Sequence, residues 1–118
     1  MKIIAFDLDD VLCYRDIKYD SLGPDKYKYC LPIVKNIEIM NQCFDSGYYI
    51  KIYTARGMTQ FNGDYQKIIK NLYELTSEQL VSWNARFHEL IFGKAHYDLL
   101  IDDKVCNINK ISNIVDIE

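Results

Sequence analysis

The chain opens with the pattern of a buried strand that ends abruptly in acidic residues. Residues 2–6 read Lys-Ile-Ile-Ala-Phe, where apolar side chains follow one another without alternation. Such a run is typical of a strand covered on both faces, as strands of parallel sheets are. The run stops at Asp7, and Asp9 and Asp10 follow within three residues. The pattern therefore predicts a central parallel strand that delivers carboxylates to its carboxyl end.

The rest of the chain alternates predicted strands with predicted helices. Residues 13–30 are polar and rich in tyrosine, which predicts a long loop or flap. A helix is expected from Pro32 to the terminating Gly47. The later predicted elements are a strand over 48–53, helices over 64–75 and 76–86, and strands over 89–92, 97–101 and 114–117. Strands and helices in this order indicate an α/β fold with a parallel sheet and crossover helices.

Spacing also predicts which helix residues face the core. In the first helix the apolar face is formed by Ile33, Ile37, Met40 and Phe44. In the second helix, the predicted inner residues are Tyr65, Ile68, Ile69 and Leu72. Thr76 and Gln79 have the spacing of a capping box, which predicts that a separate helix begins there.

Length and composition narrow the class of protein. The 118 residues suit a single domain over 1–118, and the formal net charge of −3 argues against a nucleic-acid partner. The acids near the N-terminus interrupt its apolar run, and no run approaches membrane-spanning length, so no membrane association is expected. The cysteines lie far apart, at Cys13, Cys30, Cys43 and Cys106. They predict free thiols in a reducing compartment, and we expect a cytoplasmic protein.

Four polar residues stand where predicted strands give way to loops. They are Asp7, Thr54, Lys94 and Asp102. The carboxyl ends of parallel strands meet at one edge of the sheet, and ligands bind in the crevice beyond that edge. We therefore expect these side chains to converge on one pocket.

This set of residues suits phosphoryl transfer. The Asp7 carboxylate can attack a phosphoryl group and form an aspartyl-phosphate, which divides one difficult hydrolysis into two easier steps. Mg²⁺ would offset the repulsion between the two anions, with Asp7 and Asp102 as ligands and Asp103 as a ligand or anchor. Asp9 is placed to protonate the leaving group and later to take a proton from water, which requires a raised pKa.

Further residues are candidates for binding the substrate. The Thr54 hydroxyl and the N–H groups of Ala55 and Arg56 could hold a phosphoryl oxygen, and Lys94 would supply positive charge. The Arg56 guanidinium has two equally weighted readings, a bidentate contact to substrate or a surface salt bridge. Candidates from the flap are Tyr14, Arg15, Lys18, Lys26 and Lys28, whereas His88 and His96 are read as structural.

With these motifs in place, the chain resembles the haloacid dehalogenase (HAD) superfamily of phosphatases over essentially its whole length. The four motifs are residues 3–11 around Asp7 and Asp9, residues 50–54, Lys94, and residues 99–103. Within the superfamily, residues 54–58, 93–94 and 101–104 look like small bacterial capsule-biosynthesis phosphatases. Asp10-Val11 departs from the Gly-Thr that most members carry at these positions.

The resemblance carries several expectations. It implies a three-layer, Rossmann-like fold with strand order 3-2-1-4-5, and Mg²⁺ bound also by the backbone carbonyl of Asp9. It implies hydrolysis of a small sugar, polyol or amino-alcohol phosphate, in capsule or surface polysaccharide synthesis. The interval between the first two motifs holds only a flap and one helix, so we expect a capless core. Capless members often enclose the site by oligomerising, which points to a homo-oligomer.

Three other functions compete with this hypothesis. A receiver-type phosphoacceptor module also uses Asp, Thr and Lys at strand ends, but it distributes its acids over different strands, whereas Asp7 and Asp9 share one. A nucleic-acid end phosphatase is disfavoured by the acidic net charge. A catalytically inactive homologue is disfavoured because every expected catalytic side chain is present.

Overall fold

The computed structural model describes residues 2–117, which form two α-helices and five short strands. The strands are β1 (Ile3–Asp7), β2 (Cys13–Tyr14), β3 (Leu31–Pro32), β4 (Tyr49–Tyr53) and β5 (Glu89–Ile91). The helices are α1 (Val34–Asp45) and α2 (Tyr65–Ser82), and 3₁₀ segments cover Ile17–Tyr29, Ile108–Lys110 and Ile114–Asp116.

The main sheet has three parallel strands in the order β1-β4-β5. The register aligns Asp7 with Tyr53 and Tyr53 with Ile91, so the strands end together at one edge. Strands β2 and β3 form a separate antiparallel ribbon. The α/β class with a parallel sheet is therefore confirmed, and the carboxyl edge that was expected to hold the site exists.

Helices α1 and α2 pack on the same face of this sheet. The covered face carries Phe6 and Ile52, which are 6% and 0% exposed. The opposite face carries Ile3 and Tyr53, which are 57% and 38% exposed, with Lys51 between them in the sheet. Parallel sheets are normally covered on both faces. Residues 2–117 thus form two layers, and the second helical layer of the expected three-layer fold is not among them.

Two predicted strands do not form within the described chain. Residues 97–101 have no regular structure and are exposed, and Ile114–Asp116 is a 3₁₀ turn with a capping box between Asn113 and Asp116. The physical reason at 97–101 is tethering: the Lys94 N–H donates to the Thr54 carbonyl at 3.1 Å, which holds the chain beside β4. From there, residues 97–101 do not reach the free edge of β1.

The helix predictions were partly right. Helix α1 begins at Val34 instead of Pro32, which belongs to β3, and its inner residues Ile37 and Met40 are 3% and 0% exposed. Gly47 follows the helix with a left-handed φ of 94°. None of the helices in residues 2–117 combines the length and apolarity needed to cross a membrane.

The predicted break between helices at residue 76 is wrong. Helix α2 runs without interruption through Thr76 and Gln79, whose side chains bind a buried arginine instead of capping a helix. Ile68 and Leu72 of α2 are buried as expected, whereas Tyr65 is 54% exposed.

The predicted flap is a series of tight turns and not an open loop. Residues Ile17–Tyr29 form 3₁₀ turns that are interrupted at Gly23, where φ is 60° and ψ is −138°. Tyr27, near the end of this segment, is 6% exposed and packs with α2 residues and Phe92. Packing of Tyr27 therefore fixes the flap over the carboxyl edge of the sheet.

Gly57 gives a test of packing at this edge. Gly57 has a φ of +81°, and an added Cβ would lie 2.8 Å from Leu72 Cδ1 in the core. We expect Gly57→Ala to lower the free energy of unfolding by about 2–4 kcal/mol, from left-handed strain plus overpacking. Gly47 is the matched control, because its φ is +94° but nothing lies within 4 Å. Urea unfolding should give a loss of only about 1 kcal/mol for Gly47→Ala. Equal losses for both variants would contradict the packing argument.

Candidate active site at the carboxyl edge of the sheet

A cavity of about 400 Å³ lies beyond the carboxyl ends of β1 and β4. Its size falls within the range of small-molecule sites. Its acidic lining residues are Asp7, Asp9 and Asp10, and its cationic lining residues are Arg15, Lys26, Arg56 and Lys94. The uncharged and histidine side chains of the lining are Tyr27, Ala55, Thr59, Gln60, Ala95, His96 and Tyr97.

Asp7 and Lys94 form an ion pair at this cavity. The Lys94 Nζ lies 3.1 Å from Asp7 Oδ2, while Asp7 Oδ1 accepts a hydrogen bond from the Leu8 N–H at 2.9 Å. The Asp7 side chain is 38% exposed and the Lys94 side chain 14%. Both residues follow or end a parallel strand, so the sheet itself brings them together as the sequence predicted.

The Lys94 ammonium is held in its charged form by its neighbours. Burial lowers the pKa of Lys94, but hydrogen bonds with Tyr97 and Asp7 outweigh this effect and leave the pKa above its ordinary value. The Nζ also lies 5.0 Å from the centroid of the Tyr97 ring. Lys94 therefore supplies a fixed positive charge beside the Asp7 carboxylate.

Asp9 forms a bidentate ion pair with Arg56. Arg56 Nε lies 3.1 Å from Asp9 Oδ2, and Arg56 Nη2 lies 3.1 Å from Asp9 Oδ1. The sequence had suggested surroundings in which Asp9 would hold a proton, whereas the structure surrounds it with guanidinium donors. Asp9 is thus a hydrogen-bond acceptor in this structure, and its side chain is 29% exposed.

Arg56 is a buried positioning residue. Its side chain is fully buried, and its N–H groups donate to Asp9, to Thr76 Oγ1 at 3.1 Å, to Gln79 Oε1 at 2.7 Å and to Cys13 Sγ at 3.6 Å. Burial lowers the pKa of Arg56, but the Asp9 carboxylate raises it more, so the group stays charged. Neither sequence reading fits, because the pair with Asp9 is not at the surface and every N–H already has a protein partner.

Tyr27 is a cavity residue that the sequence did not single out. Its ring centroid lies 4.9 Å from the Arg56 guanidinium, and its hydroxyl accepts from the Gly57 N–H at 3.2 Å and donates to Gln60 at 3.3 Å. The Gln79 amide also donates to the Tyr27 carbonyl at 2.7 Å. No local pattern marks Tyr27 among ten tyrosines. Only the folded flap places it against the guanidinium.

Two of the flap candidates for substrate binding, Arg15 and Tyr14, have different positions. Arg15 lines the cavity, but its guanidinium pairs with Asp20 at 2.9 Å. Burial lowers the pKa of Arg15, and hydrogen bonds with Asp20 and Cys30 raise it above its ordinary value. Tyr14 is 49% exposed and lies outside the cavity lining. The structure therefore supports Arg15 as a wall residue of the site and gives Tyr14 no contact there.

Thr54 and Ala55 take different places in the loop after β4. Thr54 is fully buried, and its Oγ1 accepts from the Arg56 N–H at 3.1 Å, which stabilises the turn. Ala55 lines the cavity, whereas Thr54 does not. Ala55 thus borders the cavity, while the Thr54 hydroxyl stabilises the loop through its hydrogen bond with the Arg56 N–H.

The remaining predicted ligands lie apart from the cavity. Asp102 and Asp103 are exposed, do not line the cavity and lie in a run of exposed residues over 95–107. A hydrogen bond with Asp103, together with the backbone N–H groups of Lys104 and Asp103, lowers the pKa of Asp102. Asp102 is therefore a carboxylate, but within one chain it is not brought to Asp7.

The two histidines have different roles. His88 accepts from the Ile50 N–H at 2.9 Å through Nδ1, and its ring stacks on Phe44 and Tyr49, which matches the structural role expected for it. His96 lines the cavity beside Lys94 and Tyr97, so its predicted structural role does not describe its position.

A pair of thiols adjoins Asp9. Cys13 Sγ lies 3.4 Å and Cys30 Sγ 3.8 Å from Asp9 Oδ1, and the two cysteines are not joined in a disulfide. A hydrogen bond with Cys13 lowers the pKa of Cys30 to about 7, although burial opposes this. The same hydrogen bond, with burial, raises the pKa of Cys13. Cys30 is therefore the more acidic thiol of the pair.

Two groups of side chains differ in their suitability for Mg²⁺. Asp9, Cys13 and Cys30 bring their ligand atoms within 4.8 Å of one another, but Mg²⁺ prefers oxygen ligands and two of these are sulfur. Asp7 offers a carboxylate on the cavity wall, whereas both carboxylate oxygens of Asp9 accept from Arg56. Mg²⁺ commonly takes one or two carboxylates, with waters and a substrate phosphate completing the octahedron. The Asp7 carboxylate therefore fits Mg²⁺.

Comparison with known proteins gives one structural relative. The chain matches no protein-family model, and no curated protein matches it. It is similar to the crystal structure of an MCSG target from Vibrio cholerae, with a TM-score of 0.79 and 27% sequence identity. The match covers 92% of this chain and 85% of the Vibrio cholerae chain. The two chains thus share their fold over most of their length.

Arg56 and Arg86 allow a controlled test of the buried ion pair. Both make bidentate contacts to an aspartate, but the Arg56 side chain is 0% exposed and that of Arg86 is 47% exposed. We expect Arg56→Lys to lower the free energy of unfolding by about 2–3 kcal/mol, because a lysine cannot satisfy the same acceptors. Arg86→Lys should cost less than about 0.5 kcal/mol. Similar losses in denaturant unfolding would contradict the distinction.

The thiol pair gives a prediction about pH. The ultraviolet absorbance of the Cys30 thiolate, taken as wild type minus Cys30→Ser, should rise with pH around a midpoint of about 7. The same difference measured in denaturant should rise at the ordinary thiol midpoint of about 8.5. A folded midpoint at or above the unfolded one would show that Cys30 is not the more acidic thiol of the pair.

Proposed function

We propose that the chain is a magnesium-dependent phosphomonoesterase of the haloacid dehalogenase type, with Asp7 as nucleophile. The observation that carries this proposal is the Asp7–Lys94 pair, whose atoms lie 3.1 Å apart on the wall of a cavity of about 400 Å³. A carboxylate beside a fixed ammonium is suited to receive a phosphoryl group, since the cation offsets the charge of the incoming phosphate.

The leaving group departs toward the part of the cavity that Asp9 borders. In the first half-reaction the Asp7 Oδ attacks phosphorus, the bond from phosphorus to the ester oxygen breaks, and that oxygen takes a proton from the Asp9 carboxyl group. In the second half-reaction water attacks phosphorus, the bond from phosphorus to the Asp7 oxygen breaks, and Asp9 accepts the water proton, which restores both residues. The Arg56 ion pair fixes the Asp9 carboxylate in orientation for this step.

Mg²⁺ would be held by the carboxylate of Asp7 and the backbone carbonyl of Asp9, with a phosphate oxygen of the substrate. When bound, it offsets the repulsion between the Asp7 carboxylate and the phosphoryl group. Lys94 contributes a second positive charge from the loop after β5, and Ala55 lines the cavity, where its N–H would meet a phosphoryl oxygen.

The substrate we propose is a small phosphorylated metabolite, such as a sugar, polyol or amino-alcohol phosphate, handled in the cytoplasm. The cavity has room for a ligand of this size. Cationic residues at its wall, Arg15 and Lys26, favour an anionic ligand. A role in capsule or surface polysaccharide synthesis follows from the family resemblance alone.

The proposal extends to the fold. In the expected order 3-2-1-4-5, the free side of β1 is the place of a strand over 97–101, which would carry Asp102 and Asp103 to the end of that strand, next to an Asp7. Within one chain the Lys94–Thr54 hydrogen bond holds the segment away from this place. Tyr97, Leu99, Leu100 and Ile101 are exposed, as the side chains of a strand that lacks its neighbour would be.

Phosphate release from a panel of small phosphomonoesters in the presence of Mg²⁺ tests the function. We expect the wild-type protein to release phosphate and to lose this activity in EDTA, with recovery when Mg²⁺ is restored. Asp7→Asn should lower kcat at least about 10³-fold, because the nucleophile is lost.

Asp64→Asn is the matched control. Asp64 is an exposed helix cap whose side chain accepts from the Lys67 N–H, and asparagine caps a helix about as well. This variant should keep wild-type activity. No phosphate release by wild type, or equal rates for Asp7→Asn and Asp64→Asn, would overturn the proposed function.

A further inference from the structure

The free edge of β1 lacks a strand partner. Strand β1 pairs with β4 on one side, and the order β1-β4-β5 leaves its other side without a strand among residues 2–117. An unpaired edge presents N–H and C=O groups that can bind another strand. The same edge borders the uncovered sheet face, where Ile3 is 57% exposed.

Residues 97–101 have the sequence pattern of a strand but pair with no strand in the described part of the chain. Residues 97–101 read Tyr-Asp-Leu-Leu-Ile, and Leu99, Leu100 and Ile101 are 76%, 45% and 89% exposed. Three consecutive large apolar side chains that are exposed to solvent are typical of a surface that binds another molecule.

The chain cannot add this segment to its own β1 in parallel. The Lys94 N–H is bonded to the Thr54 carbonyl, so only three residue steps remain to Tyr97, which span roughly 11 Å when fully extended. Lys94 stands on the β5 side of β4, so the free side of β1 is three strand spacings away, and a parallel strand must start near the level of Ile3. The straight-line distance is therefore roughly 20 Å. Parallel strands also need a connection of about a dozen residues or more.

A second copy of the chain can pair with the free edge of β1 and cover the exposed segment 97–101, because the connection between the two need not span one chain. We propose that two copies exchange residues 97–101, each segment adding in parallel to the free edge of β1 in the other copy. The exchange is reciprocal, so one two-fold arrangement pairs both edges and buries both apolar segments.

The exchange also completes each site across the two copies. In parallel addition the residue after position 101 lies at the carboxyl end of the neighbouring strand, next to Asp7. Asp102 and Asp103 of one copy would then face Asp7 of the other and supply the carboxylates that the cavity of a single chain lacks. This second step rests on the proposed function, whereas the strand exchange does not.

Molar mass in solution tests the exchange without reference to activity. Light scattering or sedimentation should give twice the mass of one chain for wild type. Leu99→Asp should halve that mass, because a charge cannot be buried at the paired edge. Val81→Asp is the matched control: Val81 on α2 is 71% exposed, against 76% for Leu99, and lies outside the exchanged segment. It should leave the mass doubled.

Circular dichroism establishes that each variant is folded, and Ile101→Asp provides a second variant within the segment. A monomeric wild type, or a dimeric Leu99→Asp and Ile101→Asp, would overturn the exchange.

Mixing two inactive variants tests the shared site. Asp7→Asn and Asp102→Asn are denatured together and refolded, so that mixed dimers form. A mixed dimer contains one site with both wild-type residues, and roughly one quarter of wild-type activity should return. No recovery, with an active wild type, would overturn the shared site. If wild type released no phosphate at all, the proposed function would fail while the mass measurement still decided the exchange.

Discussion

The Arg56 guanidinium holds the carboxyl edge of the sheet together. It binds Asp9 in the loop after β1, Thr76 and Gln79 on α2, and it lies against the ring of Tyr27 in the flap. A buried cation is costly unless its hydrogen bonds are satisfied. Because one side chain meets three separate segments, removing it would leave polar groups of all three without partners. The positions of the flap and of Asp9 therefore depend on the same interaction.

The two aspartates of the site differ in the exposure of their cationic partners. Asp7 pairs with Lys94 and Asp9 with Arg56, but the first pair is partly open to the cavity and the second is closed within the protein. Under the proposed function, a phosphate would exchange for the Lys94 contact, whereas the Arg56 contact would be kept. The partners of the two aspartates thus differ: that of Asp7 is partly open to the cavity, and that of Asp9 holds the carboxylate in orientation.

The sequence predictions were most accurate for features that depend on residues close together in the chain. Helix α1 and the strands β4 and β5 were predicted closely, because apolar periodicity records which residues face a core. The predicted helix break at Thr76 was wrong because Thr and Gln three residues apart suit two different roles. They can cap a helix, and they can also accept hydrogen bonds from a buried guanidinium, as Thr76 and Gln79 do here. Tyr27 and the burial of Arg56 left no local signal, since both arise from contacts between residues 20 or more positions apart.

The sequence by itself determined the parallel sheet, its acidic edge and the meeting of Asp7 with Lys94, since strand ends are set by local pattern and parallel strands end together. Tertiary structure alone decided that Arg56 is buried on Asp9, that the flap closes through Tyr27, and that residues 97–101 stay exposed. The physical reason is reach: the Lys94–Thr54 hydrogen bond shortens the connection, so a segment with the pattern of a strand cannot reach the free edge of β1 in its own chain.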